Sequence, residues 1–347
     1  MVGHGRFKTA IVSTDALAEA EGQRVVARCR AANIEVIALD DADNEVALAP
    51  GTLQIGSVPP RGWITMAEHG TLSTRRNEYY LHPIEGCRSS CVYCYLRGNG
   101  IGLRPVRLYV AAERLLAEIE RLIRKSLAPE YLFSTGERAD SLSEIDLYPV
   151  ACYLVEFVAM HRSARLELRS KSAAVGPLLQ LAHAGRTTVA FSIAPSEYVD
   201  RFEPGTATLS SRLAAARRCQ DAGYRIAFNL EPLFVIDGWR GAYRNMLSEM
   251  TTVLRVEELE HVSVGCLRFS KDLESTTTFN AAFGRLLAAR EYIEYRPGVF
   301  NGTLAFGDRV AAYRYIESAI RAANVSAPIY WSFEEQRLLD VLQAGGR

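Results

Sequence analysis

A regular alternation of short apolar strands and amphipathic helices between residues 79 and 267 restricts the fold of this chain most strongly. Repeated strand–helix units imply a parallel sheet with helices packed outside it. Strands are predicted at 79–84, 131–134, 165–169, 188–193, 225–230 and 261–267. Six units over roughly 190 residues favour a partial (β/α)6 barrel over a complete eight-stranded one. The predicted fold class is therefore α/β.

The intervening helices are predicted at 106–126, 145–161, 177–183, 209–222 and 238–253. Residues 1–75 are predicted to form a small N-terminal α/β element followed by a turn-rich linker. Residues 76–270 carry the partial barrel, and residues 271–347 form a C-terminal extension of helix, loop and helix.

The charge balance limits the partners that we expect. The chain has 40 Lys and Arg residues against 40 Asp and Glu, so its net charge is zero. A globally basic nucleic-acid-binding protein is therefore not indicated. No apolar run reaches the ~18 residues of a membrane span, and the N-terminus lacks the apolar stretch of a secretory signal. We expect a cytoplasmic protein without membrane contact.

The seven cysteines are unevenly distributed, and three of them fall at positions 87, 91 and 94. This C-x3-C-x2-C spacing is not a disulfide framework, and a structural zinc would require a fourth ligand. His82 lies upstream but not in zinc-finger spacing. Three thiolates on one loop suit a [4Fe-4S] cluster with one open iron, whereas a zinc or a redox-silent cluster is the alternative. The other four cysteines are expected to be small buried side chains.

The cysteine motif has an aromatic residue just before its third cysteine, and it resembles the motif of the radical S-adenosylmethionine (SAM) superfamily. Further segments resemble spore photoproduct lyase and its relatives. They are Tyr93-Cys94-Tyr95-Leu96, Phe202-Glu203-Pro204-Gly205-Thr206 and Arg268-Phe269-Ser270. The resemblance implies that SAM binds the open iron and is cleaved reductively to a 5′-deoxyadenosyl radical, which abstracts hydrogen from a substrate.

The resemblance also implies roles for individual residues. Cys87, Cys91 and Cys94 would ligate iron. Tyr95 would relay hydrogen as a catalytic residue. The residues expected by resemblance to contact SAM are Tyr93, Gly136, Glu137, Lys171 and Ser192, and Glu231 is added because its carboxylate lies at a predicted strand end, where it could orient a substrate or a ribose hydroxyl or form a rim salt bridge. Among these, Lys171 would meet the SAM carboxylate, Glu137 would meet the SAM ammonium group, and Gly136 would let the backbone come close to a ligand.

One position departs from the lyase pattern. The lyases carry a hydrogen-donating cysteine after the second strand, and Glu137 takes its place in this chain. A carboxylate cannot donate a hydrogen atom as readily as a thiol. Cys152 and Cys266 are candidate replacements, and Cys266 is preferred as the catalytic donor because it precedes Arg268 on the same face of the sixth strand.

These features leave the substrate open. The missing thiol and the neutral charge favour a small-molecule substrate, and the alternative is a photoproduct lyase-like enzyme directed at DNA or nucleotides. A non-enzymatic cluster-bearing sensor is disfavoured, because it would not need a SAM site. A stretch containing Arg212, Arg217, Arg218 and Arg225 offers phosphate contacts, but a solvated helix face is the preferred interpretation. We also expect a reducing partner such as flavodoxin or ferredoxin.

Overall fold

The first half of the chain builds one complete sheet and starts a second. The computed structural model describes residues 7–39, 51–67, 77–98, 105–125, 128–288, 290–296 and 298–344. In chain order its first elements are β1 (Thr9–Ser13), α1 (Thr14–Ala18), α2 (Ala20–Ala31), β2 (Glu35–Leu39), β3 (Thr52–Gly56), β4 (Ile64–Met66), β5 (Glu78–Leu81), β6 (Ile84–Glu85), α3 (Tyr95–Gly98), β7 (Val106–Tyr109), α4 (Ala112–Lys125) and β8 (Tyr131–Thr135).

The second half completes the central sheet and adds a hairpin. Its elements are α5 (Val150–Ala159), β9 (Ala164–Ser170), β10 (Thr187–Ser192), α6 (Ser196–Phe202), α7 (Leu209–Asp221), β11 (Arg225–Leu233), α8 (Trp239–Val253), β12 (Leu259–Cys266), α9 (Lys271–Glu274), α10 (Thr277–Leu287), β13 (Arg290–Arg296), β14 (Val299–Leu304), α11 (Phe306–Ala322), β15 (Ile329–Trp331) and α12 (Gln336–Ala344).

The six strands predicted from the alternation are consecutive neighbours in the central sheet. Its strand order is β15-β12-β11-β10-β9-β8-β5-β4. All pairs from β5 to β12 are parallel, as the strand–helix units predict. β15 adds a further parallel strand and β4 pairs antiparallel with β5. The carboxyl ends of the predicted strands therefore share one edge of the sheet.

The register of this sheet separates a polar face from an apolar one. Ser134 pairs with Glu167, and Ser192, Asn229 and Ser263 are in register across three strands. Residues paired in this way point to the same face, whereas their chain neighbours point to the other. The opposite face carries buried apolar side chains, against which helices such as α5 and α7 pack.

Some predicted elements differ from the structure. The helix predicted at 106–126 begins only at Ala112, because Val106–Tyr109 forms β7 and pairs with β3 in the N-terminal sheet. Instead of the helix predicted at 177–183, there is one 3-10 turn at Gly176–Leu178. The C-terminal extension contains the β13–β14 hairpin and β15 besides its helices. For β7 and for the C-terminal strands, pairing with other strands outweighs the local helical pattern,.

The boundaries at residues 75 and 270 remain predictions. β4 precedes the first boundary and β15 follows the second, and both belong to the central sheet. In the part of the chain that the structure describes, no helix has both the length and the apolar character needed to cross a membrane.

Gly22 provides a test of the packing between α1 and α2. A Cβ added at Gly22 would lie 1.8 Å from the Ala16 carbonyl oxygen. We expect Gly22→Ala to lower the free energy of unfolding by about 1–3 kcal/mol, because a packed backbone must shift. Gly241→Ala in α8 is the control, since nothing lies within 4 Å of its Cβ position. Chemical denaturation measures both, and equal stability of the two variants would contradict the packing argument.

Candidate functional site

The cysteine loop, residues 86–94, follows β6 and lies near the carboxyl ends of the central strands. Cys91 is buried, and Cys87 and Cys94 are half-buried free thiols. The Gly86 N–H donates to the Arg138 carbonyl, 2.8 Å away, just beyond the end of β8. This bond ties the start of the loop to the strand predicted to end at the cofactor site.

A second segment, residues 202–206, holds the middle of the cysteine loop. The Ser90 N–H donates to the Pro204 carbonyl at 2.8 Å, and the Val92 N–H donates to the Phe202 carbonyl at 2.9 Å. At Gly205, where φ is +86°, an added Cβ would lie 3.4 Å from the Ser89 Cα. The Phe-Glu-Pro-Gly-Thr run, identified from sequence only by resemblance, therefore contacts the cysteine loop directly.

Behind this segment, a buried ion pair reaches the cysteine loop. The Arg212 Nη2 lies 2.6 Å from a Glu203 carboxylate oxygen, and both side chains are almost fully buried. The other Glu203 oxygen accepts a hydrogen bond from the Tyr93 hydroxyl. The prediction that Arg212 belongs to a solvated face is therefore wrong, because its guanidinium lies inside the protein.

Lys171, predicted to bind the SAM carboxylate, lies beside the same loop. Its Nζ is 5.6 Å from the centroid of the Tyr93 ring. Burial favours its neutral form, but the Glu203 carboxylate and the Cys91 thiol outweigh burial, so the pKa of Lys171 is raised above its ordinary value. The lysine therefore carries its charge next to the cysteines.

Asp140 is a structural residue that the sequence analysis did not single out. One carboxylate oxygen accepts from the N–H groups of Leu142 and Ser143 and from the Ser170 hydroxyl, and the other accepts from the Lys171 N–H at 2.7 Å. These bonds join the loop after β8 to the end of β9 and thereby fix Lys171. An Asp whose side chain accepts hydrogen bonds from the N–H groups two and three residues later is common in turns. This turn pattern is the sequence signal that could have indicated Asp140.

Gly136 and Glu137 lie at the end of β8, as predicted. Gly136 has φ +95°, and an added Cβ would lie 2.5 Å from the Arg169 carbonyl oxygen. The close approach thus involves the neighbouring strand, which gives this glycine a structural reason. A Glu137 carboxylate oxygen lies 3.7 Å from His82 Nε2 and 3.7 Å from Arg138 Nε.

Tyr95, the predicted relay residue, is next to Glu137. Its hydroxyl donates a hydrogen bond to the Glu137 backbone carbonyl, and its ring is partly exposed. The structure therefore brings together Tyr95 and the position at which the lyases are expected to carry their thiol.

Ser192 and Glu231 lie on the polar face at the ends of β10 and β11. The Ser192 carbonyl accepts from Arg212 Nη1 at 2.8 Å. A Glu231 carboxylate oxygen accepts hydrogen bonds from Ser263 and from Ser332, which follows β15. Their predicted contacts with SAM remain predictions.

Cys266 does not join this group. It shares a face of β12 with Val264, which pairs with the buried Leu230, and its backbone N–H donates to the Tyr313 hydroxyl of α11 at 2.9 Å. Burial raises the pKa of its thiol to about 12. The structure therefore places the predicted donor on the apolar face of β12 that packs against α11, and its role as donor stays a prediction. Cys152 is buried on helix α5.

The cysteine loop offers three thiols, the type and number of ligand that a [4Fe-4S] cluster with one open iron requires. Among the described residues, no group of three His, Cys, Asp or Glu side chains is arranged to hold one metal ion. A four-iron cluster binds each thiolate through a different iron, so its ligands need not converge on one point. The three thiols are near enough to influence one another electrostatically, and burial followed by the Asp140 charge raises the pKa of Cys87 to about 12. Lys171 supplies a nearby positive charge that favours the thiolates.

Comparison with known proteins identifies the family. The family model for spore photoproduct lyase matches residues 8–276. The chain belongs to the spore photoproduct lyase family. This confirms the resemblance predicted from the cysteine spacing and the accompanying motifs.

Curated relatives carry the same name. The spore photoproduct lyase of Geobacillus sp. (strain Y412MC61) is 30% identical over 198 residues, which cover 56% of this chain and 58% of the relative. The lyase of Bacillus subtilis (strain 168) is 28% identical over 228 residues, which cover 65% of this chain and 66% of the relative. The aligned regions thus span less than two thirds of each relative's own length.

Solved structures establish the fold. Spore photoproduct lyase complexed with dinucleoside spore photoproduct has a TM-score of 0.83 at 21% identity, covering 93% of this chain and 98% of that chain. A double mutant with bound AdoMet and dinucleoside spore photoproduct has a TM-score of 0.80 at 20% identity, covering 93% and 97%. These similarities confirm the predicted partial barrel of the radical SAM type.

The comparisons contradict the expected small-molecule substrate. The relatives are named for a photoproduct, and solved members of the family hold a dinucleoside carrying it. The neutral net charge misled the prediction, because net charge describes non-specific attraction and not the chemistry of a site.

His82 lies in the protein interior beside Glu137. It is 1% exposed, and its Nε2 is 2.8 Å from the Thr65 hydroxyl. Burial, with a contribution from the Arg138 charge, lowers the pKa of His82 to about 3. The imidazole is therefore neutral at physiological pH.

This neutral imidazole predicts a pH dependence of stability. In the unfolded chain this histidine is protonated below about pH 6.5. In the folded chain it stays neutral until the pH reaches about 3,. We expect the free energy of unfolding to decrease as the pH is lowered from about 6.5 to about 3, by up to roughly 5 kcal/mol in total,. In His82→Gln this component is absent, so the difference in unfolding free energy between the two proteins will change with pH. A constant difference from pH 7 to 4 would contradict the buried neutral state.

Proposed function

We propose that this chain is a radical SAM enzyme that acts on a thymine photoproduct in nucleic acid. The observation that carries the proposal is the three-cysteine loop, held beside the charged Lys171 at the carboxyl ends of the barrel strands. Substrate and cofactor sites collect at this end of parallel barrels. Family membership and the ligands of the solved relatives support the substrate class.

The cofactor site is proposed from the residues around the loop. Cys87, Cys91 and Cys94 would hold a [4Fe-4S] cluster, which would supply the electron for radical chemistry with SAM. Lys171 binds the SAM carboxylate through a charge-assisted hydrogen bond, and Glu137 binds the ammonium group. The other proposed SAM contacts are Tyr93, Gly136, Ser192 and Glu231.

The hydrogen donor must differ from the family's thiol. Glu137 has no S–H group, and Cys266 lies on the helix-packed face. The Tyr95 hydroxyl contacts the backbone of residue 137. We therefore assign it as the donor: its O–H bond breaks, a C–H bond forms on the substrate radical, and a phenoxyl radical stays on Tyr95. One electron from the reductant and one proton from solvent restore the hydroxyl.

Anaerobic reconstitution with iron, sulfide, SAM and dithionite tests the function. With dinucleoside spore photoproduct as substrate, we expect 5′-deoxyadenosine and released thymidine units by chromatography. Cys91→Ala loses one of three iron ligands and will lose both the brown absorbance and 5′-deoxyadenosine. Cys29→Ala, a buried cysteine of α2, is the control and retains both. SAM cleavage with an unchanged photoproduct would overturn the substrate, and an active Cys91→Ala would overturn the cluster.

The donor is tested separately by repeating the reaction in D2O. An O–H group exchanges with solvent, so the wild-type product will carry solvent deuterium. Tyr95→Phe will still form 5′-deoxyadenosine but will lose most of the repaired product. Tyr315→Phe on the outer helix α11 is the control and behaves as wild type. Full repair by Tyr95→Phe would contradict the assignment.

A further inference from the structure

Glu203 is a buried carboxylate that connects the cysteine loop to Arg212. It is 3% exposed and belongs to the 202–206 segment that holds the loop. One oxygen accepts from Arg212, and the other accepts from the Tyr93 hydroxyl, between Cys91 and Cys94 in the chain. The negative charge of Glu203 also raises the pKa of Lys171.

We propose that Glu203 is a positioning residue for the iron–sulfur site, which anchors the cysteine loop through Tyr93 and sets the reduction potential of the cluster through its buried charge. The inference rests on the proposed function. It concerns how the protein tunes the cluster and not which substrate is bound.

The segment also has hydrogen bonds that do not involve this carboxylate. Arg212 Nε donates to the Ala207 carbonyl at 2.9 Å, and Nη2 donates to the Thr206 hydroxyl at 2.6 Å. The Thr206 hydroxyl also donates to the Glu203 backbone carbonyl at 2.8 Å. These bonds help to close the turn, so Glu203 needs only one carboxylate oxygen for Arg212 and the other reaches the loop.

The Tyr93 hydroxyl provides an anchor of a different kind from the backbone bonds. The N–H groups of Ser90 and Val92 fix the main chain. Tyr93 is the residue between them and the third cysteine, and its ring packs edge-on against Phe234 with centroids 5.2 Å apart. The charge-assisted hydrogen bond at the end of the packed Tyr93 ring restrains the loop between Cys91 and Cys94,.

The buried charge of Glu203 acts over a longer distance than an exposed charge would. Interactions between charges strengthen as the local dielectric constant falls, and cluster potentials depend on nearby charge and hydrogen bonding. Glu203 balances one of the two cations beside the loop. Without its negative charge, Lys171 and Arg212 stabilise the reduced, more negative cluster, so the midpoint potential rises.

The experiment uses the full chain, reconstituted anaerobically, and measures the cluster instead of turnover. Midpoint potentials come from a redox titration followed by electron paramagnetic resonance. We expect Glu203→Gln to shift the potential to a more positive value than wild type. Glu197→Gln, an exposed carboxylate on α6, is the matched control and leaves it unchanged. A Glu203→Gln cluster at the wild-type potential would overturn the proposal.

Tyr93→Phe tests the anchor and keeps the ion pair intact. We expect its potential to stay near that of wild type, while a chelator removes its iron several-fold faster. Iron loss at the wild-type rate would overturn the anchoring role, and it decides the proposal if Glu203→Gln fails to hold a cluster. If the wild-type protein cleaves SAM and the variants match it in midpoint potential and in the rate of iron loss, this inference alone is refuted. If the wild-type protein holds no cluster, the proposed function is refuted as well.

Discussion

The buried ion pair between Arg212 and Glu203 connects three parts of the molecule that are far apart in sequence. Arg212 comes from α7 and reaches the carbonyl at the end of β10, while Glu203 reaches the cysteine loop through Tyr93. Removing one partner of a buried pair typically costs about 3–5 kcal/mol, because the other charge is left uncompensated. The pair therefore makes the barrel edge, the 202–206 segment and the cysteine loop interdependent.

Asp140 supports the other side of the same site. It receives hydrogen bonds from the loop after β8 and from the end of β9, and so fixes the backbone of Lys171. Two buried carboxylates thus hold the surroundings of the cysteines, one through an arginine and one mainly through backbone N–H groups. Such preorganised polar contacts allow a site to keep its geometry without rearranging during a reaction.

Local sequence patterns predicted those elements that have a clear periodicity or spacing of their own. The alternation located all six parallel strands, and the cysteine spacing located the loop. The strand β7 was missed because its partner β3 is distant in sequence, and Arg212 was misread because helical periodicity does not show which polar residues are buried. The role of Cys266 stays a prediction for a related reason: a period of two tells which residues share a face, but not which face is inside.

The last strand of the central sheet comes from close to the end of the chain. β15 pairs with β12, and Ser332 just beyond it donates to the Glu231 carboxylate at the barrel edge. During synthesis, which proceeds from the N-terminus, the 101 positions that separate Glu231 from Ser332 must be made before the two side chains can meet. The order of translation therefore makes Glu231 wait for Ser332 longer than it waits for Ser263.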